Sequence, residues 1–243
     1  AGTVSLIDPM ARSVMGTVPV GGHPMAVAIS KNGDADDQDE RVFVIQFLAE
    51  RIPGVPGEGF DTGKRGIVHT FPLANPSAVT RITVSPLTNV GLTADRTDCC
   101  PQTSPTPSPL HSTIFCPDLP AAAGSPAITQ NPQGAFPNQL LSAVIRGNRL
   151  WLPNIGAAPE PPVQFTVHVQ ALVHVVDTSG LVEQTALHVN LNNDLKTEVP
   201  PANPTASLGR LFGNDFVAID ANAAGTAFLV VSRGGNYVLR ASL

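Results

Sequence analysis

A run of acidic side chains near the start of the chain has the composition of a cation-binding loop. Five carboxylates lie within seven residues: Asp34, Asp36, Asp37, Asp39 and Glu40. They repel one another at neutral pH unless a cation or solvent compensates them, and Ca²⁺ prefers oxygen ligands. Because the order of ligands differs from that of an EF-hand, two interpretations stand: a calcium loop, and a solvated hairpin tip.

All three cysteines lie in one proline-rich insertion, at about residues 95–137. A disulfide from Cys100 to Cys116, or from Cys99 in place of Cys100, would close this loop and stabilise the fold by about 3 kcal/mol. A disulfide predicts an oxidising compartment, extracellular or periplasmic, and leaves one thiol over. The alternatives are reduced thiols, and a zinc or copper site made of the cysteines and His111.

Histidines spread along the chain are a second set of candidate metal ligands, because imidazoles gathered from separate strands can hold copper. The candidates are His23, His69, His168, His174 and His188. His69 and His174 occupy the same position in two related phrases, so a common structural role explains both. The even spacing of His168 and His174 places both on one face of a strand if that strand runs unbroken between them. Ordinary surface or half-buried histidines are the alternative interpretation.

Covalent catalysis has little support in the sequence. It has no Gly-x-Ser-x-Gly elbow, and no Cys-x-x-Cys-His motif that would attach a c-type haem to this chain. Copper and zinc stay open as cofactors, and so does enzymatic activity.

The elements that carry these residues form a unit repeated along the chain, with copies at about 1–50, 66–156 and 171–235 and a fourth that opens at Gly235. Each copy combines three short apolar phrases. Repeats of short strands at this spacing are typical of β-propellers, with one antiparallel sheet per repeat. We therefore expect an all-β fold of four-stranded antiparallel blades, with about three blades in residues 1–243 and long loop insertions between strands.

Three blades do not close a propeller, which needs about four to eight. An open ring would leave an apolar sheet face and a strand edge bare, and soluble proteins avoid both. We expect the remaining blades to come from the same polypeptide or from another chain.

Composition supports an all-β, globular protein and excludes some partners. The chain has 42% hydrophobic residues, 24 prolines and 21 glycines, and its apolar residues alternate or run in short bursts. Charged residues make up only 14%, and the net charge is -5, so we expect no nucleic-acid partner. No stretch approaches the roughly 20 apolar residues of a membrane span.

The first copy resembles the repeat of the YVTN family of β-propellers. Val4–Asp8 is a strand ending in Asp, and a second strand leads to the Gly-x-x-Pro corner at Gly21–Pro24. The later copies match more loosely, with Asn154 and Ser232 where the family's Tyr-Val-Thr-Asn segment ends. The resemblance implies a seven-bladed architecture. It implies no reaction, because this scaffold serves binding proteins, hydrolases and redox proteins.

Three further segments depart from the short repeat. We expect Arg51–Arg65 to be a flexible rim loop joining one blade to the next, residues 153–162 to be a second connector between blades, and Asn190–Leu211 to cover one face.

These observations favour a secreted or periplasmic binding or scaffold module. One context for it is a cytochrome- or copper-associated redox assembly, with a redox partner protein that holds the cofactor. The alternative is a metalloenzyme, a copper oxidoreductase or a lactonase-like hydrolase, with its active site in the propeller channel.

Overall fold

The computed structural model describes residues 2–55, 57–92, 133–160, 168–198 and 212–242, and these ranges form an all-β protein. Besides strands they contain one α-helix, α1 (Leu191–Glu198), and two 3-10 turns. The strands are β1 (Gly2–Asp8), β2 (Ser13–Gly21), β3 (Pro24–Ile29), β4 (Arg41–Gln46), β5 (Glu50–Arg51), β6 (Lys64–Pro72), β7 (Thr80–Val84), β8 (Phe136–Leu140), β9 (Val144–Arg146), β10 (Arg149–Ala157), β11 (Val169–Asp177), β12 (Val182–Glu183), β13 (Val189–Asn190), β14 (Phe216–Ala221), β15 (Ala227–Ser232) and β16 (Tyr237–Ser242).

The first large sheet, sheet 1, is an antiparallel meander in the order β3-β4-β6-β7. The short β5 pairs with the start of β6. In β4 the segment Val42–Ile45 is apolar and buried at every position, which is typical of a strand covered on both faces. Sheet 1 therefore needs a packing partner on each side.

Sheet 2 has β10 and β11 at its centre, paired antiparallel from Arg149 opposite Asp177 to Ala157 opposite Val169. Two short strands continue the sheet on each side. β8 and β9 pair with different parts of β10, and β12 and β13 pair with different parts of β11. Sheet 2 thus also has four strand positions, and its two outer positions are each filled by a broken strand.

The remaining strands form sheet 3, in the order β14-β15-β16, and a hairpin of β1 and β2. Among the described strands, β1 pairs only with β2, and β16 pairs only with β15. Sheet 3 therefore has three strand positions and the hairpin has two.

Apolar residues pack these units face to face in chain order. Val18 and Val20 of the hairpin cover Val42 and Val44 of sheet 1. The opposite face of sheet 1 packs on sheet 2, as in the cluster of Phe43 and Ile45 with Leu150 and Leu152. Sheet 2 packs in turn on sheet 3, where the Trp151 and Phe228 rings lie 4.5 Å apart between centroids. Each large apolar side chain buried in this way contributes about 1.5–3 kcal/mol.

Two equivalent turns reflect the repeat seen in the sequence. Asp8 and Asp177 end β1 and β11, and each carboxylate accepts hydrogen bonds from backbone N–H groups two and three residues further on. The fourth residue after each aspartate, Arg12 or Leu181, has a positive φ of 52° or 55°. β1 and β11 are therefore corresponding strands, each followed by the same turn.

The sequence phrases cross from one sheet to the next. Each phrase begins with a corresponding strand, β1, β6 or β11, and ends in the second strand of the following sheet, β4, β10 or β15. The insertion Arg51–Arg65 therefore joins β4 to β6 within sheet 1, and the connector at 153–162 begins in β10 and leads to β11 within sheet 2. The expectation that these two segments join separate blades was wrong, because a phrase boundary is not a sheet boundary.

The insertion after β4 is also held more firmly than a flexible rim loop. Asp61 within it is buried, and its carboxylate accepts hydrogen bonds from the side chain of Gln133, from Gly134 N at 3.2 Å and from Glu160 N at 3.0 Å. Asp61 N donates in return to Glu160 Oε1 at 3.1 Å. These contacts attach the insertion to segments flanking β8 and β10 of sheet 2.

We expect Arg12→Gly to stabilise the protein. A non-glycine residue in the left-handed region costs about 1–2 kcal/mol, whereas the greater freedom of glycine in the unfolded chain costs about 0.5–1 kcal/mol. The net gain in the free energy of unfolding is then up to about 1.5 kcal/mol, measured by urea titration. Arg12→Ala is the control, because alanine keeps the Cβ; an equal gain in that variant would trace the effect to the arginine side chain and not to the backbone.

Candidate functional site

The acidic residues form the loop between β3 and β4, and an asparagine amide holds this loop together. Asn32 Nδ2 donates to Asp34 Oδ2 at 2.8 Å and to Asp39 Oδ2 at 2.9 Å. Glu40 is buried, and its carboxylate accepts hydrogen bonds from Asn32 N at 2.7 Å and from the Ser30 hydroxyl. One of the five carboxylates thus anchors the loop, and two more share one amide.

The negative charges of the loop still act on one another. Loss of solvation and the charges of Asp34, Glu40 and Asp36 raise the pKa of Asp39. Within the described ranges, no group of three or more His, Cys, Asp or Glu residues has an arrangement that could hold a metal ion. Calcium binding stays a prediction for the carboxylates of Asp34, Asp36, Asp37, Asp39 and Glu40.

The cysteine predictions concern a part of the chain that the structure does not describe. Cys99, Cys100, Cys116 and His111 all fall within 93–132, outside the described residues. The disulfide to Cys116 and the alternative metal site both stay predictions.

His69 and His174 occupy corresponding places in β6 and β11, and each lies beside a buried amide of the neighbouring strand. His69 Nε2 lies 3.3 Å from Gln46 Oε1, and His174 Nδ1 lies 2.9 Å from Asn154 Nδ2. Both amides stand two residues after the residue opposite their histidine. In β15 the same position holds Ser232, whose hydroxyl donates to a backbone carbonyl at 2.6 Å. A common structural role therefore accounts for both histidines, and the second strand of each sheet carries a buried polar residue at this position.

His174 is fully buried, and its hydrogen bonds fix a neutral ring. Asn154 donates to Nδ1, so Nε2 carries the proton that it donates to Ser85 O at 3.2 Å. Burial, followed by the charge of His188, lowers the pKa of His174 well below its ordinary value. The two histidine rings meet edge to face, with centroids 4.4 Å apart. Ser85 in turn donates its N–H and its hydroxyl to the Glu183 carboxylate at 2.7 and 2.5 Å, which links sheet 1 to sheet 2.

Sequence reasoning identified both histidine positions but missed Asn154, Ser85 and Glu183. The signal that could have found Asn154 is its place in the repeat, where it corresponds to Ser232. Ser85 and Glu183 are far apart in sequence and lie on different sheets. His168 precedes β11, and its backbone carbonyl accepts a hydrogen bond from Ala158 N at 2.8 Å.

A polar pocket of about 390 Å³ opens beside the His174 cluster, between the loop after β7 and the start of α1. Its lining includes Asn89, His188, Asn190, Asn193 and Asp194. The buried amide of Asn190 donates to two neighbouring carbonyl oxygens at 2.8 Å, which holds that wall in place. A pocket of this size and polarity can admit a small polar molecule.

Apolar side chains are exposed on sheet 1, beside the hairpin, and on sheet 3. Met25, Val27 and Ile29 are exposed on β3 at one end, and Leu229 and Val238 are exposed on sheet 3 at the other. Soluble monomers rarely leave contiguous apolar surface bare, so such faces mark interaction sites. These two faces are the candidate partner-binding surfaces of the chain.

Comparison with protein-family models, with curated proteins and with solved structures gives no match. The described part of the chain has no helix with the length and hydropathy needed to cross a bilayer. What the chain does is therefore inferred from its own geometry.

The Asp39→Asn variant separates the two interpretations of the acidic loop. In EDTA we expect it to raise the melting temperature, because the amide removes one of several like charges. If the loop binds calcium, adding CaCl₂ stabilises the original chain more than the variant, as measured by thermal unfolding. Glu58→Gln, an exposed carboxylate outside this loop, is the control. No calcium effect on the original chain would leave the solvated tip.

Stability should depend on pH through His174. Because its folded pKa lies below the unfolded value of about 6.5, the unfolded chain binds more protons as the pH falls. The contribution of neutral His174 to the free energy of unfolding is then complete above about pH 6.5 and declines below it. In urea titrations between pH 7.5 and 5, we expect His174→Gln to show a smaller decline than the original chain. If His174→Gln loses stability with falling pH as steeply as the original chain, the acid sensitivity belongs to other groups. His69→Gln, measured in the same way, gives the share of the other histidine.

Proposed function

We propose that this chain is part of a β-propeller that works as a binding or scaffold module. Support comes from two antiparallel sheets with four strand positions each, stacked face to face with a third sheet and a hairpin. Further support comes from corresponding residues, such as the turn aspartates Asp8 and Asp177, at the same place in different layers. A radial stack of small antiparallel sheets is the architecture of propellers.

The observation that carries this proposal is the exposed apolar surface at both ends of the stack. On β3 it faces away from sheet 2, and on sheet 3 it also faces away from sheet 2. Inside the stack, equivalent faces are buried against a neighbouring sheet. In a module of this kind, the binding partner is a further sheet that packs on an exposed end face.

In this proposal the remaining blades come from the same polypeptide or from another chain, and the complete ring has seven blades. A redox assembly whose cofactor lies on a partner is one setting for it. An extracellular or periplasmic location follows only if the predicted disulfide forms.

The native mass of the particle tests the proposal. We expect the native particle to have a mass above 25.3 kDa, the mass of one chain, when the chain is produced together with the polypeptide that supplies the remaining blades. The reason is that uncovered apolar faces favour assembly. Native mass spectrometry gives the particle mass, and denatured subunit masses and metal content come from the same sample. A stable monomer of 25.3 kDa at micromolar concentration, with no tendency to associate, would overturn the proposal.

A further inference from the structure

We propose that the free edge of β1 and the apolar stripe of β3 form one docking site for an antiparallel strand pair of the same repeat. The stripe consists of Met25, Val27 and Ile29. This inference rests on the proposed function and names the partner that covers one end of the stack.

The first reason is the position of β1. It corresponds to β6 and β11, and each of these strands has a long strand, β4 or β10, paired along one edge. We call this the inner edge. Among the described strands nothing pairs with the inner edge of β1. An unpaired edge presents a row of backbone donors and acceptors that a further strand can use.

The second reason is that the stripe continues a packed interface. Val27 lies opposite Val44, and Ile29 lies opposite Val42, so the four side chains share one face of sheet 1. Val42 and Val44 are buried under the hairpin, whereas Val27 and Ile29 are exposed. The hairpin therefore covers only part of this face, and the uncovered part lies over β3.

The third reason is that the edge and the stripe are adjacent. A Cβ added to Gly2 would lie 2.1 Å from Pro24 Cδ, so β1 and β3 begin in direct contact. A strand pair added to the inner edge of β1 would lie over β3. It would then bury Met25, Val27 and Ile29, just as sheet 1 buries Leu150 and Leu152 of sheet 2.

A second copy of the chain does not fit this site. Its corresponding strand pairs already have their outer edges bonded, β4 to β6, β10 to β11 and β15 to β16. If sheet 3 of another copy docked there, its β16 would take the place that β1 holds. The occupant is therefore a strand pair whose edge is free, with apolar residues at alternate positions.

The chain supplies a surrogate for this occupant. Residues 213–235 contain β14, β15 and the turn that leads into β16, a strand corresponding to β1. Fused directly ahead of Gly2, this segment would enter β1 by the same turn. Its Leu229 and Val231 copies would face the stripe, because these positions lie on the side of sheet 3 that points away from sheet 2.

Methionine oxidation reports the docking. Met10, Met15 and Met25 are the three methionines of the chain, and they are 91%, 73% and 54% exposed. Met10 and Met15 lie at the far tip of the hairpin and serve as internal controls. In the fusion, we expect hydrogen peroxide to oxidise Met25 at least about tenfold more slowly than in the original chain, with Met10 and Met15 unchanged, as read by peptide mass spectrometry.

A matched fusion with Leu229→Asp and Val231→Asp in the added copy only should lose this protection. The inference fails if Met25 is oxidised in the fusion as fast as in the original chain, or if the fusion with the two Asp substitutions protects Met25 equally. It also fails if raising the concentration of the unfused chain slows the oxidation of Met25, because a second copy of the chain would then be the occupant. A native particle larger than one chain, together with a Met25 that is not protected, would contradict the docking site but not the proposed function. A lone, non-associating chain would sink the proposed function first.

Discussion

The structure depends on one constraint: the central strands of sheets 1 and 2 are apolar on both faces, so each of these two sheets must be covered on both sides. β4 buries Val42 and Val44 toward the hairpin and Phe43 and Ile45 toward sheet 2. β10 divides its side chains in the same way, with Leu150 and Leu152 on one side and Trp151 on the other. A sheet whose two faces are both apolar must be buried on both sides, and the stacking of the sheets follows from this requirement.

Apolar faces attract without direction, so polar contacts set how the layers meet. Ser85 of the segment after β7 binds Glu183 of sheet 2, and the Arg146 guanidinium of sheet 2 donates to the Ala221 carbonyl of sheet 3 at 2.7 Å. The carboxylate of Asp61 ties the first long insertion to the segments around sheet 2. Such contacts break if one layer slides along the next, and this gives the stack a single arrangement.

Local pattern predicted much of this fold, and long-range pairing accounts for what it missed. Alternating and continuous apolar runs indicated the strands, and Asp8 was expected to end the first of them. The same pattern did not reveal that a phrase spans two sheets, because a strand's sequence does not say which neighbour it will bond. The partners of His174 were missed for the same reason: Ser85 lies 89 residues away in sequence, and no local period encodes that contact.

The chain has a single tryptophan, and its position makes the interface between sheets 2 and 3 optically distinct. Trp151 is almost completely buried there against Phe228, while the other layer contacts contain no indole. Tryptophan fluorescence therefore reports the separation of these two layers alone. Loss of the hairpin or of its contact with sheet 1 would be silent to this signal, so the emission of the native chain distinguishes which end of the stack opens first.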